Sequence, residues 1–320
     1  MNRAQSPSIT RQSFAVAALF LLASLRPGAA AESAPARPPM LGKLVDVGGY
    51  RVHIYCTGEG SPTIVVAGGG FSFDWGLVQP EAAKFTRICT YDTAGTAWSD
   101  GAPSRAQPYC ANRVSELHAL LKNAGISSPY VLVGFSIGGL VARLYASRYP
   151  QEIAGMVVVD HAFLDTRSNP PPNVNGSIAA AHLDSPPVPV SNIPLALDLE
   201  DDENFSRLPE RDQGLHRWAL SIHSLRPTSE MAAECFSEIE ASEQSGSYPL
   251  GNKPVAVVST LYDSRSYAEL QHKLLMLSRN SEQFIAGNSS HMVIIDQPEI
   301  VVQAIQQVTK AVKDGTPLKK

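Results

Sequence analysis

Ser136 stands in the run Gly134-Phe135-Ser136-Ile137-Gly138, a Gly-x-Ser-x-Gly pattern that gains meaning from its flanks. The apolar run 130–133 precedes it and a helical pattern opens at Ile137, so the residues predict a strand, a sharp turn and a helix with the serine at the turn. That geometry suits nucleophilic attack on an acyl carbon. The glycines let the chain turn without Cβ clashes, and the helix N-terminus behind the serine aims N–H groups at the negative charge that develops on an attacked carbonyl. One such donor is the N–H of Ile137; the other is expected from Ala67-Gly68-Gly69-Gly70-Phe71, where Gly69 or Gly70 allows the backbone to approach closely. A phosphate-binding use of that glycine run is disfavoured: no Gly-Lys-Ser/Thr follows, and no Gly-x-Gly-x-x-Gly opens a helix.

A serine hydroxyl needs a base, and after a serine presented in this way the chain order is acid and then histidine. His291 meets the requirement. It lies in Ala286-Gly287-Asn288-Ser289-Ser290-His291-Met292, after the strand-like run 283–286 and before the last helix, whereas His53, His118, His161, His182, His216, His223 and His272 are not so placed. Two aspartates compete to orient it. Asp263 follows the run 255–258 after a short loop, and Asp160 ends the buried run 156–159. A carboxylate at a buried strand end is costly without a partner, which favours Asp160, although either one would hold an imidazole tautomer and stabilise the imidazolium.

The elements that must position these groups alternate. Residues 43–55 read as a half-exposed antiparallel hairpin about Gly48-Gly49. Residues 63–67, 87–91, 130–133, 155–159 and 255–258 are continuous apolar runs, as expected of parallel strands covered on both faces. Helical periodicity fills the gaps: 112–123 places Val114, Leu117, Leu120 and Leu121 on one face, and 137–148 places Leu140, Val141, Leu144 and Tyr145 likewise. A final helix opens at Pro298 with the stripe Val301, Ile305, Val308 and Val312. The alternation breaks over 162–251. There, prolines and the acidic stretch 198–203 precede one helical face of Leu215, Trp218, Ala219 and Ile222 and another of Met231, Cys235 and Ile239, which together read as an inserted arm and helical cap. The fold class is therefore α/β, a mostly parallel, doubly covered sheet with an inserted cap. The divisions are 42–161 and 252–315 for the core and 162–251 for the cap.

At the N-terminus, Arg3 and Arg11 precede an uncharged run, 14–25, that ends near Ala29-Ala30-Ala31, so 1–31 reads as an export signal and 32–41 as a linker. The run is too short to span a bilayer, so the mature chain is expected to carry no transmembrane anchor and to be periplasmic or extracellular. The formal net charge of the 320-residue chain is −4, and the signal carries only basic charges, which argues against a nucleic-acid partner. The four cysteines, Cys56, Cys89, Cys110 and Cys235, allow one or two disulfides in three pairings, or buried free thiols.

Four segments carry a resemblance: Tyr91-Asp92 to Asp100, Val133 to Gly139, Val157 to Asp165, and Gly287 to Glu299. Together they resemble the α/β-hydrolase superfamily, in particular bacterial lipase- and esterase-like members with YDxxGxGxSD, VGxSxGG, VLVDxxxxD and GxxHxxxxDQPE. The resemblance implies a serine hydrolase. Some lipases take the acid from the end of the sixth strand, which matches Asp160; the commoner position after the seventh matches Asp263. Phe135 stands where many relatives have histidine, and Ala67 replaces the histidine of the usual His-Gly loop. Asp92, Ser99 and Asp100 read as structural, holding the turn after their strand.

The expected reaction is hydrolysis of a small-molecule carboxylic ester without a cofactor or a metal. Phe71, Phe73, Trp75, Trp98 and Trp218, with Phe135, are expected to line an apolar pocket under the cap and to favour an apolar substrate portion. Peptidase, amidase or lactonase chemistry with the same three residues is the alternative, and a non-catalytic binding protein of the same fold is a further one. Dehalogenase chemistry is disfavoured, because it needs a carboxylate where position 136 has serine.

Overall fold

The computed structural model describes residues 36–103, 109–161, 202–222, 235–236, 238–239, 249–261 and 271–318. The expected signal, most of the 162–251 insertion including Met231, and Asp263 lie outside the described residues.

Continuous apolar runs become strands buried on both faces. The strands are β1 (Lys43–Asp46), β2 (Arg51–Thr57), β3 (Ile64–Val66), β4 (Ile88–Asp92), β5 (Tyr130–Phe135), β6 (Ile153–Val159), β7 (Val255–Thr260) and β8 (Ser281–Ala286). They form one eight-stranded sheet in the order β1-β2-β4-β3-β5-β6-β7-β8. β1 and β2 make the expected antiparallel hairpin, β2 pairs antiparallel with β4, and the other pairings are parallel.

Among the described residues, the helices with defined bounds are α1 (Gln79–Ala82), α2 (Tyr109–Asn123), α3 (Ile137–Arg148), α4 (Glu210–Ile222), α5 (Val293–Asp296) and α6 (Pro298–Asp314). Alternate residues of each inner strand feed two cores. Leu132, Met156, Val158 and Val257 pack with Leu117, Leu121, Leu140 and Leu144 from α2 and α3. On the opposite face, Val131, Val133, Val157 and Val258 pack with Val301, Ala304, Ile305 and Val308 from α6. Each such side chain removed from water contributes about 1.5–3 kcal/mol. Pro298 opens α6 as the sequence indicates, and Gly315, at φ 61°, ends it in the left-handed conformation.

Both cysteine pairs are bonded. Cys56 joins Cys89 across the β2–β4 ladder, where the two residues are register partners, and Cys110 in the first turn of α2 joins Cys235 of the insertion. Helix α4 buries Leu215, Trp218 and Ala219 as expected, but Ile222 is 37% exposed at the helix end. No helix among the described residues is long and apolar enough to cross a membrane.

Candidate functional site

The strand order sets the site. β5 lies between β3 and β6, so the ends of three adjacent strands carry the glycine loop, Ser136 and Asp160, and the loop after β8 carries His291. Ser136 adopts φ 51° and ψ −123°, a conformation that costs about 1–3 kcal/mol and that the surroundings must hold. Two backbone contacts do so: Ser136 N donates to Val159 O at 3.1 Å, and Gly139 N donates to Ser136 O at 3.0 Å. Gly138 cannot be replaced without moving the glycine loop, because a Cβ there would lie 2.3 Å from Gly68 O. A Cβ on Gly69 would lie 2.1 Å from Phe135 O, so the loop and the serine turn are in direct backbone contact.

Three of the residues singled out in the sequence meet. His291 Nε2 is 2.9 Å from Ser136 Oγ, and His291 Nδ1 is 2.6 Å from Asp160 Oδ2. With Asp160 accepting, Nδ1 carries the proton and Nε2 offers its lone pair to the serine hydroxyl. Asp160 is fully buried; Thr260 Oγ1 donates to its Oδ1 at 3.1 Å and its own N–H donates to Val258 O at 2.8 Å. The carboxylate is therefore held at the end of a buried strand.

The N–H of Ile137 begins α3 directly after the serine. Among the described residues, no hydrogen bond uses the N–H of Ile137, Gly69 or Gly70, so the donors expected to face an oxyanion are uncommitted. Phe71 N is not available, since it donates to Asp74 Oδ2 at 2.7 Å.

The loop carrying His291 is braced by α5 and α6. Asp296 Oδ2 accepts from Ser290 N and Ser290 Oγ, both at 2.7 Å, and from Ser289 Oγ at 3.1 Å. Its Oδ1 accepts from Asn204 Nδ2 at 2.9 Å, and Gln297 Oε1 accepts from Asn288 N at 2.9 Å. These contacts give Asp296 and Gln297 of the Asp-Gln-Pro-Glu segment a physical role. Ser290 Oγ also lies 3.1 Å from Oδ2 of Asp202, whose carboxyl is pushed above its usual range by burial and by the neighbouring Asp296.

The aromatic residues divide into two groups. Phe71, Phe73 and Trp98 pack with Leu215, Trp218 and Ala219 beneath α4, while Trp75 and Phe135 belong to the core on the α6 side of the sheet. Phe135 lies against the His291 ring, centroids 5.0 Å apart, where it limits the imidazole's rotation.

Several participants escaped the sequence reading. His161 follows Asp160, is fully buried, and sits 3.1 Å through Nδ1 from Ser136 O and 3.4 Å through Nε2 from Arg143 Nη1. The arginine can only donate, so Nδ1 bears the proton and supports the serine turn. Burial, reinforced by Arg143, pushes the His161 imidazole down to about 3, and it is neutral at ordinary pH. Asp92 does more than hold a turn: it bonds His53 Nδ1 at 2.7 Å and accepts from Ser72 N at 2.7 Å, all fully or almost fully buried. Ser99 and Asp100 do hold the turn, Ser99 Oγ donating to Asp92 O and Asp100 pairing with Arg51. The one sequence signal for His161 was its place next to Asp160; His53 gave none, because its partner is 39 residues away.

Ser136, His291 and Asp160 thus meet in one hydrogen-bonded line at the edge of a mostly parallel sheet. The family model described as alpha/beta hydrolase fold matches residues 64–315, and the chain belongs to that family. It is 28% identical over 270 residues to the uncharacterized protein YqjL of Bacillus subtilis (strain 168), covering 82% of this chain and 89% of that protein. It is 30% identical over 139 residues to a 2-hydroxymuconate semialdehyde hydrolase of Pseudomonas sp. (strain CF600), covering 41% of this chain and 47% of the relative. Among solved structures, a thermophilic esterase from Thermogutta terrifontis superposes with a TM-score of 0.55 at 21% identity, over 82% of this chain and 94% of the esterase.

Proposed function

We propose that the protein is an exported serine hydrolase that cleaves a carboxylic ester of a small molecule through an acyl-enzyme. The observation that carries this reading is the continuous hydrogen-bonded line Ser136 Oγ, His291 and Asp160, at 2.9 and 2.6 Å, buried at the edge of the sheet. Ser136 Oγ attacks the carbonyl carbon while His291 Nε2 takes its proton, and Asp160 stabilises the imidazolium. The N–H groups of Ile137 and of Gly69 or Gly70 bear the oxyanion, each donor contributing about 2.7–4 kcal/mol of transition-state stabilisation. Collapse of the tetrahedral intermediate expels the alcohol, which receives the proton from His291. Water then attacks the acyl carbon with His291 again as base, releasing the acid and restoring Ser136.

Family membership and the likeness to an esterase and a named hydrolase support hydrolysis. The aromatic cluster under α4 supports an apolar portion in the substrate. The basic and apolar leader and the two disulfides support export into an oxidising compartment. The test is turnover of p-nitrophenyl esters against aminoacyl anilides and lactones by the wild type and Ser136→Ala. Ester turnover abolished in the variant is expected. Faster cleavage of the anilides or lactones would replace the ester reading, and equal turnover by both proteins would remove Ser136 from the mechanism.

A further inference from the structure

Helix α4 presents Asp212, Leu215, His216 and Ala219 as one buried face, at the spacing of successive helical turns. That face rests on the 3₁₀ turn Ser72–Trp75, which follows the glycine loop. The approach is close: a Cβ on Gly76 would lie 2.2 Å from Asp212 Oδ2. At the centre of the contact, His216 Nδ1 is 2.7 Å from Asp74 Oδ1, both side chains being fully buried, and the imidazole packs edge-on between Phe71 and Phe205.

Asp74 faces two ways. While Oδ1 is bonded to the cap, Oδ2 accepts from Phe71 N at 2.7 Å, the peptide N–H next along the chain from Gly70. The carboxylate also stands directly beside Gly70, where a Cβ would come within 2.8 Å of Oδ2. A buried carboxylate without a donor is costly, so loss of either bond reorients it. Gly70 and Phe71 move with it.

We propose that His216 is a positioning residue for the oxyanion loop: by fixing Asp74 it fixes Phe71 N–H and so the direction of the Gly69 and Gly70 donors. Cap docking and readiness of the oxyanion hole are then one event, and a substrate that holds α4 down also assembles the hole beneath it. The inference rests on the ester-cleaving reading and deepens it, because it makes the cap part of the rate and not of binding alone.

The test uses the full-length protein, a p-nitrophenyl ester and an alkyl trifluoromethyl ketone, a probe that becomes an oxyanion on Ser136. His216→Phe keeps a ring of similar size but cannot donate, and it should lower kcat by about 100-fold, with KM nearly unchanged. The same variant should weaken the ketone by a similar factor. His216→Asn, whose amide nitrogen can take the place of Nδ1, should recover most of both. If His216→Phe does not fold, Asp74→Asn takes its place, with a fall in kcat of at least about tenfold expected. The proposal is overturned if kcat and ketone affinity stay within threefold of wild type in the substituted protein, if the whole loss lies in KM, or if His216→Asn is no better than His216→Phe. Absence of ester turnover in the wild type itself would instead overturn the ester-cleaving reading.

Discussion

Replacing Asp160 by asparagine isolates the carboxylate's charge from its shape. In the folded protein Asp160 Oδ2 lies 2.6 Å from His291 Nδ1, and the pair is shut off from water. At the effective dielectric of about 20 that suits such sites, unit charges at that separation attract by about 6 kcal/mol. The proton is transferred only in part at the transition state, and an amide oxygen retains some of the attraction, so about 4–5 kcal/mol is lost. That corresponds to a fall in kcat of about 10³–10⁴-fold. KM should change little, because the lost interaction strengthens only as the imidazolium forms. The assay is steady-state hydrolysis of a p-nitrophenyl ester by wild type, Asp160→Asn and Asp263→Asn at matched far-ultraviolet circular dichroism and Tm. Asp263→Asn is expected to stay near wild type. Full activity in Asp160→Asn with loss in Asp263→Asn would refute the assignment of the orienting acid, and full activity in both would refute the three-residue mechanism.

Three further outcomes are expected. Asp296→Ala removes the acceptor of three bonds to Ser289 and Ser290 and frees the His291 loop, and should lower kcat/KM by about 10–100-fold; steady-state kinetics with unchanged Tm checks it. His161 stays neutral in the folded state down to about 3, whereas its unfolded value is the usual 6.5, so below 6.5 the unfolded chain binds the extra proton. Its contribution to stability therefore falls by about 1.4 kcal/mol for each pH unit from 6.5 towards 3; urea unfolding of wild type and His161→Asn at several pH values should show curves that converge on acidification, and parallel curves would exclude the effect. The Cys110–Cys235 bond spans 125 residues, and Cys110→Ser with Cys235→Ser should cost about 4–5 kcal/mol in chemical denaturation under oxidising conditions.

What could be read from the sequence was local. The serine turn, the final helix from Pro298 and the strand ends are written in contiguous residues, and His291 followed from its place between the last strand and the last helix. Asp160 was favoured because a carboxylate at the end of an apolar strand must have a partner, and the register of β5 with β6 brings Val159 beside Phe135 and so the two side chains to one edge. Pairings set by strand order, or made by residues of the 162–251 segment, were not legible. Cys56 meets Cys89 because β2 pairs with β4 and not with β3, and Cys110 meets a residue of the insertion, which no local pattern encodes. His53 and His216 carry no distinctive neighbours in sequence, and His161 only the adjacent Asp160, yet each is tied through Nδ1 to a distant group: Asp92, Asp74 and the Ser136 carbonyl respectively. The exposed Ile222 shows the opposite error, a periodic apolar position at a helix end that the core does not reach.

The central claim is that Ser136 forms the covalent intermediate. Its direct measure is intact-mass spectrometry with peptide mapping after reaction with a fluorophosphonate, run beside a burst assay with a p-nitrophenyl ester. One adduct per chain, mapped to Ser136, absent in Ser136→Ala and strongly slowed in His291→Ala, is the expected result, with a burst of one equivalent where deacylation is slow. A folded wild-type protein that hydrolyses the ester yet takes up no label, or takes it up on a residue other than Ser136, would contradict the account.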